Sequence, residues 1–221
     1  MLKILPVIHH LNRDLSMRNA ALAFAAGCDG VFVISMQGED GDLCNVAAQI
    51  KSVWPDKFVG VNHLTLAPAD SISLNIRAGL DGTWSDAAMI QGNEFDARAG
   101  AVRDIRASNP EHQFFASVAF KYQAREANPA AAARTALALG FVPTTSGSAT
   151  GKAAKLDKLQ EIRGGIADGA LAIASGITPS NVAAFAPFLT HVLVATGVSL
   201  DEHTFCPNLM KLLIEAATPF R

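Results

Sequence analysis

Lys121 closes an apolar run, Phe114-Phe115-Ala116-Ser117-Val118-Ala119-Phe120, a position where a merely solvated lysine is out of pattern. At the end of a buried strand an ammonium can pair with a phosphate or carboxylate. It can also serve as a base or Schiff-base amine once its pKa is lowered. A rim lysine in an ion pair is the plainer use. Imidazoles stand at comparable places: His9 and His10 follow Ile4-Leu5-Pro6-Val7-Ile8, and His63 follows Phe58-Val59-Gly60-Val61-Asn62. Neighbours on a strand point to opposite faces, so at most one of His9 and His10 can enter a shared site. Two imidazoles near a carboxylate such as Asp86 suit acid–base work or a metal. No H-x-H or H-x-x-x-H spacing occurs, and we expect no metal. For each single ring the alternative is a hydrogen-bonded structural histidine.

Anion binding is suggested further along. Leu171-Ala172-Ile173-Ala174-Ser175-Gly176-Ile177-Thr178-Pro179 and Val192-Leu193-Val194-Ala195-Thr196-Gly197-Val198-Ser199 are apolar runs that open into matching turns. A Gly just past a strand lets backbone approach a ligand, with N–H groups aimed at an anion. Thr178 and Ser199 add hydroxyls. Buried strands also end in Gly for geometric reasons alone. The stretch Thr144-Thr145-Ser146-Gly147-Ser148-Ala149-Thr150-Gly151-Lys152 ends like a nucleotide P-loop. It is one residue short of G-x-x-x-x-G-K-[ST], with Ala153 in the Ser/Thr place, so the P-loop is rejected. What remains is a hydroxyl-rich loop whose Ser146 and Ser148 can donate to an anion or a ribose.

These residues need a frame that gathers strand ends. Strands are predicted at 3–11, 30–35, 58–62, 82–86, 114–120 and 141–145, and in the two runs beginning at 171 and 192. Helices are predicted at 16–26 (Ser16 as N-cap, Gly27 as C-cap), 42–53, 69–78, 94–107 (Asn93 as cap), 129–139 (Pro129 first), 152–163, 180–189 and 208–217. Strict alternation implies parallel strands with crossover helices. Eight units, with no obvious extra segment, favour one closed (β/α)8 barrel (TIM barrel) domain over 1–221 rather than an open sheet. Ala26-Gly27-Cys28-Asp29-Gly30 returns as Ala78-Gly79-Leu80-Asp81-Gly82, in keeping with repeated units. The active face of such a barrel lies at the carboxyl ends of its strands, with phosphate most often held after the last two.

Composition narrows the partners. The chain has 221 residues, 50% hydrophobic and 17% charged, enough for a sizeable core and against disorder. A net charge of −2 without a basic block argues against a nucleic-acid or membrane-surface binder. Cys28, Cys44 and Cys206 are odd in number and far apart, as in reduced thiols of a cytoplasmic protein. The first residues read as no signal peptide, and no apolar window is long enough to span a membrane.

Several segments resemble the BtpA-like family of phosphate-binding-type barrels. They are Val7-Ile8-His9, Cys28-Asp29-Gly30-Val31-Phe32-Val33, Gly60-Val61-Asn62, Thr145-Ser146-Gly147-Ser148-Ala149-Thr150-Gly151 and Ala174-Ser175-Gly176-Ile177-Thr178-Pro179-Ser180-Asn181-Val182. The last two, in that order, are the most specific. The resemblance implies a β/α barrel related to ribulose-phosphate-binding enzymes, without a settled reaction. The family's best-known role is in photosystem I biogenesis, and other members occur in bacteria without photosynthesis. Ser35-Met36-Gln37-Gly38-Glu39-Asp40 and Trp84-Ser85-Asp86 depart from its pattern, and the chain is shorter than typical members.

The expectation is a cytoplasmic enzyme for a phosphorylated small molecule, such as a sugar phosphate or phosphoribosyl compound. Ser146, Ser148, Gly176, Thr178, Gly197 and Ser199 would hold the phosphate. Lys121, with His9 or His63 and Asp86, would transfer protons, leaving isomerase, lyase and phosphoribosyl-transfer chemistry open. No cofactor is expected, and homo-oligomerisation is left open. The alternative is a non-catalytic binding or assembly factor, which an apolar patch on the helical exterior would favour.

Overall fold

Side-chain alternation along short apolar strands determines what fills the centre of this molecule. The computed structural model describes residues 1–221. Its strands are β1 (Lys3–His9), β2 (Gly30–Ile34), β3 (Phe58–Asn62), β4 (Gly82–Ser85), a small hairpin of β5 (Ile90–Gln91) and β6 (Glu94–Phe95), β7 (Gln113–Ser117), β8 (Val142–Ser146), β9 (Ala172–Ala174) and β10 (His191–Val194). Without the hairpin, the other eight close in the order β1-β10-β9-β8-β7-β4-β3-β2. Every pairing in the barrel is parallel. Closure comes from Ile4 opposite Val192 and Leu5 opposite Leu193, the pairing the barrel requires. The fold is a (β/α)8 TIM barrel.

Around it lie α1 (Arg13–Ala26), α2 (Leu43–Val53), α3 (Pro68–Arg77), α4 (Ala97–Ala107), α5 (Pro129–Ala138), α6 (Leu156–Ile166), α7 (Val182–Phe185) and α8 (Pro207–Ala217). None is long and apolar enough to cross a membrane. Strand side chains alternate between two cores. Leu5, Val7, Phe32, Ile34, Trp84, Phe115, Ala172, Ala174 and Leu193 pack in one cluster inside the barrel. Ile4, Ile8, Val31, Val33, Val59, Val61, Phe114, Ile173, Val192 and Val194 join the larger cluster under the helices. The interior is lopsided. Phe32, Phe58, Trp84 and Phe115 stack edge to face with centroids 5.1 to 6.0 Å apart, whereas β9 contributes only alanines.

Several predicted boundaries move, each for a local reason. Asn12, not Ser16, caps α1, its Oδ1 accepting from Leu15 N–H at 3.0 Å. Ser16 is buried and its Oγ lies 2.9 Å from His10 Nδ1. The helix expected from residue 94 begins at Ala97 with Asp96 as cap, because Gly92-Asn93 turns the preceding residues into the β5–β6 hairpin. That hairpin is an extra segment the alternation did not show. β7 stops at Ser117, since Ala119 and Tyr122 take left-handed angles (φ 48° and 62°), leaving Lys121 in the following loop. α6 begins at Leu156 instead of 152. α7 is a single turn followed by a 3-10 turn at Ala186–Phe188, where Pro187 removes a donor.

Candidate active site

Strand parity places His9 on the inward face with Leu5 and Val7, and His10 on the outward face against α1. It also separates the two imidazoles meant to cooperate. Asn62 points inward, where its Nδ2 donates to Asp86 Oδ1 at 3.1 Å. His63 therefore points outward, is 5% exposed, and lies with Nδ1 2.9 Å from Ser71 Oγ and Nε2 3.6 Å from Cys44 Sγ. His63 does not share a cavity with Lys121. It sits in a buried polar chain that runs through Cys44, Asn75 and Thr83 to His112.

At the carboxyl end of the barrel is a cavity of ≈ 230 Å³. Val7, Ile34, Trp84, Ala174 and Leu193 form an apolar floor, and His9, Asp86, Lys121, Ser175, Thr150 and Thr196 supply its polar wall. Lys121 Nζ donates to Ser175 Oγ at 3.0 Å and Thr150 Oγ1 at 3.2 Å. Its backbone N–H donates to Ser146 Oγ at 2.7 Å, which fixes the loop. Gln123 ties the same loop to the residue that follows β4, its Nε2 donating to Asp86 O at 2.9 Å. Trp84 holds the floor, its Nε1 donating to Ser117 Oγ at 3.2 Å.

Burial shifts two titratable groups of this wall. Burial pulls the His9 imidazole below its ordinary value, against the Glu202 carboxylate, which raises it. Its Nδ1 is buried and has no hydrogen-bond partner. Burial raises the Asp86 carboxyl, against the Asn62 hydrogen bond and the Lys121 charge, which lower it. His9, Asp86 and Lys121 thus face one small space. Burial pushes the Cys44 thiol up to about 11, which disfavours its thiolate.

The predicted phosphate cradle is arranged otherwise. Thr178 N–H donates to Asn181 Oδ1 at 2.8 Å, and Thr178 Oγ1 lies 2.9 Å from Ser180 Oγ. Ser199 Oγ donates to Ala195 O at 2.9 Å. Neither side chain lines the cavity. Gly176 (φ 75°) and Gly197 do allow close approach, but to neighbouring turns. A Cβ on Gly176 would lie 2.2 Å from Ala153 N, and one on Gly197 1.9 Å from Ile177 O. Ser146 is fully buried and bonded to Lys121, and Ser148 is exposed in a separate cleft. Besides the Tyr122 phenol, the hydroxyls that reach the cavity are Ser175, Thr196 and Thr150, each immediately before a glycine. Ser175 holds φ 86°, a strained angle of the kind stored at functional sites. A hydroxyl preceding the strand-end Gly was the sequence signal available.

No group of three His, Cys, Asp or Glu side chains is placed to hold a metal ion. No family model matches the chain, and no curated protein does either. Solved structures match it along its whole length. Phosphoribosyl anthranilate isomerase from Thermus thermophilus superposes with a TM-score of 0.72 at 14% identity, covering 100% of both chains. KGPDC from Streptococcus mutans gives 0.71 at 13% identity, covering 100% of this chain and 99% of that one. A 3-hexulose-6-phosphate synthase gives 0.69 at 14%, covering 97% and 99%. At this identity the likeness establishes the TIM-barrel fold. The BtpA-like resemblance rests on its short sequence runs alone.

Proposed function

We propose that the protein is an enzyme that moves a proton on a small phosphorylated carbonyl compound, such as a sugar phosphate, held in the barrel mouth. The observation that carries the reading is the convergence of His9, Asp86 and Lys121 on one cavity. Neutral His9 is the base that takes a proton from carbon beside the carbonyl. Lys121 stabilises the oxyanion that develops, and the Asp86 carboxyl exchanges the proton at oxygen. Ser175, Thr196 and Thr150 hold the phosphate with hydroxyl donors, beside the turns after β9 and β10 where barrels of this fold most often bind it. Solved barrels named for phosphorylated substrates support the reading by analogy of fold. Isomerisation and aldol-type cleavage both pass through this proton transfer; a phosphoribosyl transfer does not. A non-catalytic assembly role would draw on an apolar exterior. The exposed large apolar side chains on the helices are Val53, Leu156 and Leu212, one to a helix.

The test is exchange of the carbon-bound proton of ribulose 5-phosphate for solvent deuterium, followed by NMR, beside calorimetric binding. Lys121→Met is expected to abolish exchange while changing stability by less than about 1 kcal/mol, because the ammonium bonds only two hydroxyls. His9→Asn should slow exchange by about 10²–10⁴ with binding retained. A Lys121→Met protein that loses stability yet keeps exchange would make Lys121 structural and remove the reading.

A further inference from the structure

A second concavity lies beside the mouth, outside the proton-transfer site. A cleft of ≈ 510 Å³ runs between the segments that follow β7 and β8. Its walls carry four cations, Lys121, Arg125, Lys155 and Lys158, and one carboxylate, Glu126. That carboxylate is already engaged, with Oε2 accepting from Gly92 N–H at 2.9 Å and Oε1 from Asn128 N–H at 2.8 Å. None of the four cations has a carboxylate within ion-pair distance. Arg125 and Lys155 are exposed, and Lys158 is fixed at the back of the cleft, its ammonium donating to Ala119 O and, at 2.9 Å, to Ser146 O. Four cations against one carboxylate leave the cleft a local positive excess in a chain of net charge −2. Like charges gathered in a concave wall raise the local concentration of anions.

We propose that this cleft binds a phosphate monoester dianion, in addition to the phosphate held in the mouth. Arg125 offers a planar fork of donors, the three lysines offer point charges, and Ser148 offers a hydroxyl at the same wall. Burial holds Lys158 down to about 8, so an arriving dianion would favour its charged form. Lys121 and Tyr122 line both cavities. The second phosphate therefore belongs either to the far end of the mouth's own ligand or to a separate molecule beside it.

The experiment titrates inorganic phosphate, ribulose 5-phosphate and ribulose 1,5-bisphosphate by calorimetry. The proteins are wild type, Arg125→Gln/Lys155→Gln, Ser175→Val/Thr196→Val, and Arg18→Gln/Lys211→Gln. The last removes the same two charges from α1 and α8, across the barrel. Wild type is expected to bind two inorganic phosphates per chain, or to bind the bisphosphate at least about tenfold more tightly than the monophosphate. The first pattern means separate ligands and the second one spanning ligand. Either advantage should vanish in Arg125→Gln/Lys155→Gln and persist in the remote control. If that cleft variant keeps wild-type stoichiometry and affinities, or if the remote control loses as much, the proposal is overturned. Failure of the mouth reading looks different: Ser175→Val/Thr196→Val would then leave phosphate binding intact.

Discussion

At the residue scale, Gly197 shows how a single atom changes the meaning of a motif. The turn after β10 leans on the turn after β9 so closely that a Cβ at residue 197 would sit 1.9 Å from Ile177 O and 2.9 Å from its carbonyl carbon. The obstacle is backbone, which cannot rotate aside. Gly197 is not among the residues with positive φ, so the constraint is space and not backbone angle. Gly197→Val is therefore expected to cost more than about 3 kcal/mol, or to prevent folding, before any ligand is considered. Urea denaturation of Gly197→Val against Thr196→Val separates the two causes. Thr196→Val should fold with near-native stability and lose phosphate affinity. A Gly197→Val protein as stable as wild type would refute the packing role.

At the element scale, the barrel is only as closed as its last unit. β10 supplies the ladder to β1, and α8 covers that seam by packing against α1. Met210, Leu213 and Ala217 are fully buried on its inner side. Truncation after residue 206 is expected to leave no cooperative unfolding transition by circular dichroism, and Leu213→Ala to cost about 2–5 kcal/mol. A soluble truncation with a native-like melt would show that the first seven units hold the barrel without the eighth. The loop between β10 and α8 is tied down from the same side, with Asn19 Nδ2 donating to His203 O at 2.7 Å and Phe205 N–H to Asn19 Oδ1 at 3.1 Å. α8 thus secures the seam, while the mouth draws its polar residues from the ends of β1, β4, β7, β8, β9 and β10.

At the scale of the whole molecule, buried imidazoles set the response to acid. Burial holds His9, His63, His112 and His191 below their ordinary value, and His191 falls to about 4. His191 closes the bottom of the barrel, edge to face with Phe115 at 5.3 Å, and its Nε2 has no partner. Because the folded-state value lies below the unfolded one of 6.5, the unfolded chain takes up the proton first as pH falls. Stability is full above 6.5 and declines as pH drops through 6.5 toward 4, by roughly 3 kcal/mol from His191 alone. Urea melts at pH 7.5 and 4.5 should show this loss, and His191→Phe should flatten it. An equal pH dependence in His191→Phe would move the effect to the other rings that burial shifts, His10 among them.

The alternation of apolar runs and helical patterns implied parallel strands buried on both faces, and the count of eight units favoured a closed barrel over an open sheet, as the β1–β10 pairing bears out. Strand β3 and the closing pair β1–β10 lie where the apolar residues put them, since local hydrophobicity and burial coincide there. The sequence also marked Lys121, His9 and Asp86 as strand-end polar groups, and the cavity contains all three. It could not say that His63 turns away, since that follows from which of Val61 and Asn62 meets the interior, a choice of strand register and tilt around the closed ring. Nor could it separate Ser175 and Thr196 from Thr178 and Ser199. Which hydroxyl reaches the cavity depends on Ser180 and Ala195 claiming the latter pair, and on Gly176 and Gly197 bringing neighbouring turns into contact. Composition and periodicity are local sums; the direction of one side chain is settled by everything packed around it.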